Sequence, residues 1–143
     1  EKIPIFPYSV KYNSAFYGPF REAAKSSPNF GDRKTYQMNF KNSEEAINEV
    51  KLDINEGADV IIIKPAISYQ DIIYRIKQKF NVPIIAYNVS GEYTMVKSAS
   101  EKNFINGIET ILEILHSIKR SGANAIISYH ALEVAKYLKA NDL

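Results

Sequence analysis

Cysteine is absent from this sequence of 143 residues, which excludes a disulfide and a thiolate zinc site within it and suits an intracellular protein without locating it. Long apolar runs are lacking too: none approaches the roughly 18 residues needed to cross a bilayer. Charge of one sign is missing. The 18 Lys and Arg against 16 Asp and Glu are interspersed, so a net charge of +2 offers no footprint for nucleic acid or for an anionic membrane, and neither is expected as a partner. There is no Gly-rich phosphate loop, no Ser/His/Asp order, and no His/Asp/Glu cluster at zinc-site spacing. The opening residues carry no basic n-region or cleavage site of a signal peptide; they read as a cut through a longer chain.

What remains is a chain with 45% hydrophobic residues, enough for one domain with a sizeable core. Short β-rich runs alternate with amphipathic helical patterns, which predicts βα units and a parallel sheet. The predicted strands are Phe6–Lys11, Val60–Lys64, Pro83–Val89 and Ala125–Tyr129. Between the first two, Asn42 is placed to cap a helix with Glu45 at its third position, and Gly57 ends it. A second helix spans about Tyr69 to Phe80 with Ile72, Ile73, Ile76 and Phe80 as its apolar stripe. A third carries Ile108, Ile111, Leu115 and Ile118, has Lys119 and Arg120 in its last turn, and stops at Gly122. A last helix runs from about Leu132 to Lys139.

A weak internal repeat says more than any single element. Glu56-Gly57-Ala58-Asp59 followed by Val60 to Lys64 aligns with Ser121-Gly122-Ala123-Asn124 followed by Ala125 to Tyr129. Each is a helix stop, a tight turn and a buried strand. Alternation along a strand puts Val60, Ile62 and Lys64 on one face and Ala125, Ile127 and Tyr129 on the matching face, so Lys64 and Tyr129 occupy equivalent strand ends. In a (β/α)8 barrel, that end bears the catalytic groups. Four βα units make half a barrel, and residues 1–143 are therefore expected to be the C-terminal βα units of one TIM-barrel domain whose first half lies upstream.

Lys11 and Lys64 each end an apolar strand. A lone lysine there ordinarily snorkels to water. Two in one pocket behave differently: at about 6 Å and an effective dielectric near 20 they repel by roughly 2.8 kcal/mol, which leaves a useful fraction of one amine neutral near pH 7. A neutral amine is what attacks a ketone to form a Schiff base. The connection from Phe16-Tyr17-Gly18-Pro19-Phe20-Arg21 to Gly31-Asp32-Arg33-Lys34 reads either as solvated surface charge or as a lid whose guanidinium groups grip a carboxylate. Ser90, in a Ser-Gly turn after the third strand, lies near the same barrel end. His116 reads as a core-edge or surface residue; His130 follows Tyr129 and reads more readily as structural than catalytic.

The run Tyr8-Ser9-Val10-Lys11-Tyr12-Asn13-Ser14-Ala15-Phe16-Tyr17-Gly18-Pro19-Phe20-Arg21-Glu22-Ala23 closely resembles the segment of porphobilinogen synthases (5-aminolevulinate dehydratases) that carries one catalytic lysine. Phe30-Gly31-Asp32-Arg33-Lys34-Thr35-Tyr36-Gln37, Glu56 to Asp59 with Lys64-Pro65-Ala66, Ala86-Tyr87-Asn88-Val89-Ser90-Gly91-Glu92-Tyr93, and Ile118 to Ala123 with Tyr129 continue that resemblance in the family's order. It covers nearly the whole chain.

The resemblance implies a hydro-lyase of tetrapyrrole biosynthesis that condenses two 5-aminolevulinate molecules to porphobilinogen. Lys64 would form the Schiff base with the propionate-side substrate and Lys11 with the acetate-side one. Ser90 and Tyr129 would hold the first carboxylate, Arg21, Arg33 and Gln37 the second, and Tyr17 and Phe20 would form lid and pocket wall. Glu49, fifteen residues before Lys64, stands where some members support the water shell of an allosteric magnesium ion. The family's zinc or other catalytic-site metal belongs to a region not in this sequence, so its metal is undetermined. A homo-octamer is implied, in the cytoplasm or, in a plastid-bearing organism, the plastid stroma. The competing readings are a single-lysine Schiff-base aldolase and a truncated, non-catalytic relative that assembles with a complete barrel.

Overall fold

The computed structural model describes residues 3–25 and 36–142. Its strands are β1 (Val10–Lys11), β2 (Ile61–Lys64), β3 (Ile84–Asn88) and β4 (Ala125–Ser128). They form one sheet in the order β1-β2-β3-β4, every pairing parallel. The helices among the described residues are α1 (Gly18–Ala23), α2 (Glu44–Asn55), α3 (Gln70–Lys79), α4 (Ser90–Glu101), α5 (Gly107–Arg120) and α6 (Ala131–Ala140), with 3-10 turns at Ala15–Tyr17 and Ile67–Tyr69.

Alternation divides the sheet into two faces. Val10, Ile61, Ile63, Ile84 and Ala86 are wholly buried against Ala46, Ile47 and Val50 of α2, Ile72, Ile73 and Ile76 of α3, and Ile118 of α5. The opposite face carries Lys11, Lys64, Tyr87, Ala125 and Ile127. Register confirms the sharing of that face, since Lys11 pairs with Lys64, Ile62 with Ile85, Ile85 with Ala125, and Tyr87 with Ile127. Ala125 and Ile127 are exposed on it, as the open half-barrel face requires.

The helix signals hold where local chemistry dictates them. Asn42 Oδ1 accepts from the N–H groups of Glu44 and Glu45 at 2.9 and 3.4 Å, satisfying donors that the first turn of α2 leaves open. Gly57 and Gly122 adopt φ of +100° and +124°, the conformation for which an L side chain is strained, and so end α2 and α5.

Four expectations are corrected. The strand expected over Phe6–Lys11 shortens to Val10–Lys11: Pro4 and Pro7 have no N–H to give, so Ile5 and Pro7 accept from Asp59, Val60 and Ile62 of the neighbouring segment without a full ladder. An open half-barrel face is expected to leave Ile62 in water like Ala125 and Ile127, yet it is only 6% exposed; the stretch through Pro7 lies alongside it and takes its N–H at 3.0 Å. Residues 18–23 of the expected open connection form α1, started by Pro19 and by the preceding 3-10 turn, which Ser14 Oγ caps at the Phe16 N–H. Finally, Ser90-Gly91 is no turn but the first residues of α4, a three-turn helix. Its weak apolar periodicity conceals it, and Glu92 creates it by accepting the Val89 N–H at 2.8 Å.

Candidate active site

The C-terminal ends of the strands bring some of the predicted residues together. Lys11 and Lys64 are direct register partners on adjacent strands. Lys64 Nζ lies 4.4 Å from the ring centre of Tyr87, 4.8 Å from that of Tyr8 and 5.3 Å from that of Tyr17. Aromatic faces at these distances favour the ammonium ion. Burial, together with the Lys11 charge, outweighs them, and the Lys64 amine is brought down from 10.5 to about 8. The same surroundings push the Tyr17 hydroxyl well above its usual range and the Tyr87 hydroxyl up to about 12, burial being the larger cause in each.

A small cleft lined by Tyr17, Phe20, Lys64, Tyr87, Val89, Ser90 and Tyr129 forms over this amine. Ser90 Oγ accepts the Phe20 N–H at 3.1 Å, so α1 is latched onto the start of α4. The close approach depends on Gly91: a Cβ there would stand 2.4 Å from the Phe16 carbonyl oxygen. Tyr17 Oη donates to the Lys64 carbonyl at 3.3 Å, tying the same segment to the end of β2. The Arg21 guanidinium stacks 5.5 Å from the Tyr17 ring centre, and its buried Nε has no hydrogen-bond partner among the described residues. Tyr129 stands at the cleft edge, about half exposed, and its proximity adds to the rise of the Tyr87 pKa.

The other expected residues are less converged. Gln37 is buried with both amide atoms lacking a partner among the described residues, but it lines a separate groove with Asn13, Asn39, Phe40 and Lys41. Arg33 lies outside the described residues. Glu49 is exposed on α2 and shares an open groove with Glu45, Ser9 and Lys11. Among the described residues no group of three or more His, Cys, Asp or Glu could enclose a metal ion. Two carboxylates on one helix fit only a cation that keeps most of its water, as magnesium does. His130 does not line the cleft: its buried ring packs 4.6 Å from that of Tyr93. Burial lowers its pKa, opposed by Glu133.

Sequence reasoning passed over Tyr8, Tyr87 and Glu92. Tyr87 was available from alternation, as it lies two residues beyond Ile85 on the open face. Tyr8 precedes the ordered strand and its ring reaches Lys64 only through the fold.

Two strand-end lysines in register, one depressed amine in an aromatic pocket and a latched helix above it make a site suited to carbonyl chemistry by an amine nucleophile. The family model for delta-aminolevulinic acid dehydratase matches residues 1–137. This chain belongs to the delta-aminolevulinic acid dehydratase family. It is 56% identical over 139 residues to the delta-aminolevulinic acid dehydratase of Synechocystis sp., covering 97% of this chain and 42% of that protein. With the Bacillus subtilis enzyme it shares 57% identity over 136 residues, 95% of this chain and 42% of the relative. The crystal structure of the Toxoplasma gondii enzyme, solved in complex with the reaction product porphobilinogen, superposes with a TM-score of 0.94 at 47% identity, over 98% of this chain and 40% of that one. The chain thus spans about two-fifths of the length of the curated relatives it matches, and its fold is that of the C-terminal half of this (β/α)8-barrel family.

Proposed function

We propose that this chain supplies the lysine-bearing half of a porphobilinogen synthase, which condenses two 5-aminolevulinate molecules with loss of water. The observation that carries the reading is the register pairing of Lys11 with Lys64 beside an amine whose pKa is near 8. The neutral Lys64 amine attacks the ketone of the first substrate; water leaves and an imine forms. Lys11 does the same for the second. Ser90 and Tyr129 hold the first carboxylate, and opening of the Phe20 latch frees the Ser90 hydroxyl for it. Arg21, Arg33 and Gln37 hold the second carboxylate; in support, Arg21 Nε and the Gln37 amide have no hydrogen-bond partner among the described residues. Tyr17 and Phe20 close the cleft.

Residues 1–143 act within this reading as part of one barrel domain. Glu49 supports a hydrated magnesium ion in a regulatory site, and the assembled protein is a homo-octamer. Its place of work is the cytoplasm or a plastid stroma; no helix among the described residues is long and apolar enough to cross a membrane.

The test is borohydride trapping of 5-aminolevulinate in the full-length protein. An adduct at Lys64, lost with turnover in Lys64→Ala, is the expected result. A first adduct at Lys11 would reverse the order of the two lysines, and no adduct at either would end the Schiff-base reading. Glu49→Gln is expected to abolish magnesium stimulation while leaving the Lys64 adduct intact.

A further inference from the structure

Glu92 is fully buried, yet among the described residues its carboxylate meets only neutral donors. Oε1 accepts the Ile67 N–H at 2.6 Å and the Ala66 N–H at 3.1 Å. Oε2 accepts the Val89 N–H at 2.8 Å and Asn88 Nδ2 at 3.2 Å. A buried carboxylate is costly unless its lone pairs are filled, and here four donors fill them. Burial raises its pKa and those donors oppose the rise.

These bonds join two loops. Ala66 and Ile67 follow Lys64 directly after β2; Asn88 and Val89 precede Ser90 at the end of β3. The chain of bonds then continues. Asn88 Oδ1 accepts from Ser128 Oγ at 2.8 Å, and the same Ser128 oxygen accepts the His130 N–H at 3.1 Å. Ser128 and His130 flank Tyr129. One buried polar network therefore ties together the ends of β2, β3 and β4, each next to a residue of the cleft.

We propose that Glu92 is a positioning residue: its carboxylate fixes the strand ends so that Lys64, Ser90 and, through Asn88 and Ser128, Tyr129 face one bound substrate. Capping of α4 requires only the Val89 bond; the bonds from Ala66 and Ile67 cross to the start of the 3-10 turn after β2, so the same carboxylate also holds the chain that follows Lys64. The inference rests on the Schiff-base reading above. An error of about 1 Å in the nucleophile's place can cost on the order of a hundredfold in rate.

Glu92→Gln separates positioning from packing. The amide is isosteric, but its NH2 must face N–H donors on one side. In the full-length protein, with assembly and thermal transition checked, single-turnover borohydride trapping at saturating 5-aminolevulinate is expected to slow at least tenfold. Adding Asn88→Asp gives the new NH2 an acceptor and is expected to restore part of the rate. A folded Glu92→Gln protein that traps within twofold of the wild-type rate overturns the proposal. Should Glu92→Gln fail to assemble, Ser128→Ala decides: it keeps Glu92 and cuts the link to β4, so KM should rise severalfold with the trapping rate at saturation unchanged, and an unchanged KM overturns the proposal. Wild-type protein that forms no Lys64 adduct would overturn the Schiff-base reading and this inference together, whereas wild-type trapping with an indifferent Glu92→Gln overturns this inference alone.

Discussion

Lys11 and Lys64 stand directly opposite each other at the ends of two adjacent parallel strands. Registered residues on parallel neighbours point to the same face, so the two amines share one side of the sheet. With a pKa near 8, about a tenth of Lys64 is neutral at pH 7, against roughly one part in three thousand for an ordinary lysine at 10.5.

The pH dependence follows with a definite sign. Trapping at Lys64 should rise with pH and level off above about 8. Lys11→Ala removes a like charge, so the midpoint should move upward; burial is the larger cause, so it should remain below 10.5. Because the folded amine binds its proton less tightly than the unfolded one, the linked contribution to stability increases as pH rises from about 8 to 10.5. A trapping rate still climbing at pH 10 in the wild type would contradict the depressed amine.

Gly91→Ala should push the Phe16 backbone away, since a Cβ would lie 2.4 Å from its oxygen and 2.7 Å from its Cα. Overpacking of this kind costs about 1–3 kcal/mol. The expected result in the full-length protein is a lowered thermal midpoint with weaker activity, as α1 leaves Ser90 and Tyr17 leaves Lys64. An unchanged midpoint would mean that α1 is not held at this point.

Tyr87→Phe keeps the aromatic face against Lys64 and removes the hydroxyl that interacts with Tyr129 at the cleft edge. KM for 5-aminolevulinate is expected to rise by about tenfold, the equivalent of one hydrogen bond of about 1.4 kcal/mol, with little change in kcat. Steady-state kinetics distinguishes this from a catalytic role, which would lower kcat instead.

Residues 1–143 expressed alone are expected to self-associate or remain partly molten, and to form no porphobilinogen. β1 and β4 are sheet edges, while Ile127 is 39% and Leu132 69% exposed. Open parallel edges with apolar neighbours invite pairing between chains. Size-exclusion chromatography and near-UV circular dichroism test this; a monomer with a cooperative transition and turnover would refute it.

The amino-acid order alone determined the features that obey local rules. Alternation in Val60–Lys64 and Ala125–Ser128, the capping by Asn42 and the left-handed glycines 57 and 122 depend on neighbours a few residues away; Lys64 ends β2 as expected, whereas Tyr129 falls one residue past the end of β4. The motifs around both lysines likewise carried the family, although Arg33 falls outside the described residues. Tertiary structure decided what depends on distant partners. α4 has little apolar periodicity and shows itself through Glu92, whose side chain closes on Val89 of its own helix start and on Ala66 and Ile67, over twenty residues away. The cage of Tyr8, Tyr17 and Tyr87 around Lys64 and the burial that is the larger cause of its lowered pKa need the fold, whereas the pairing with Lys11 that the sequence pointed to is the lesser cause.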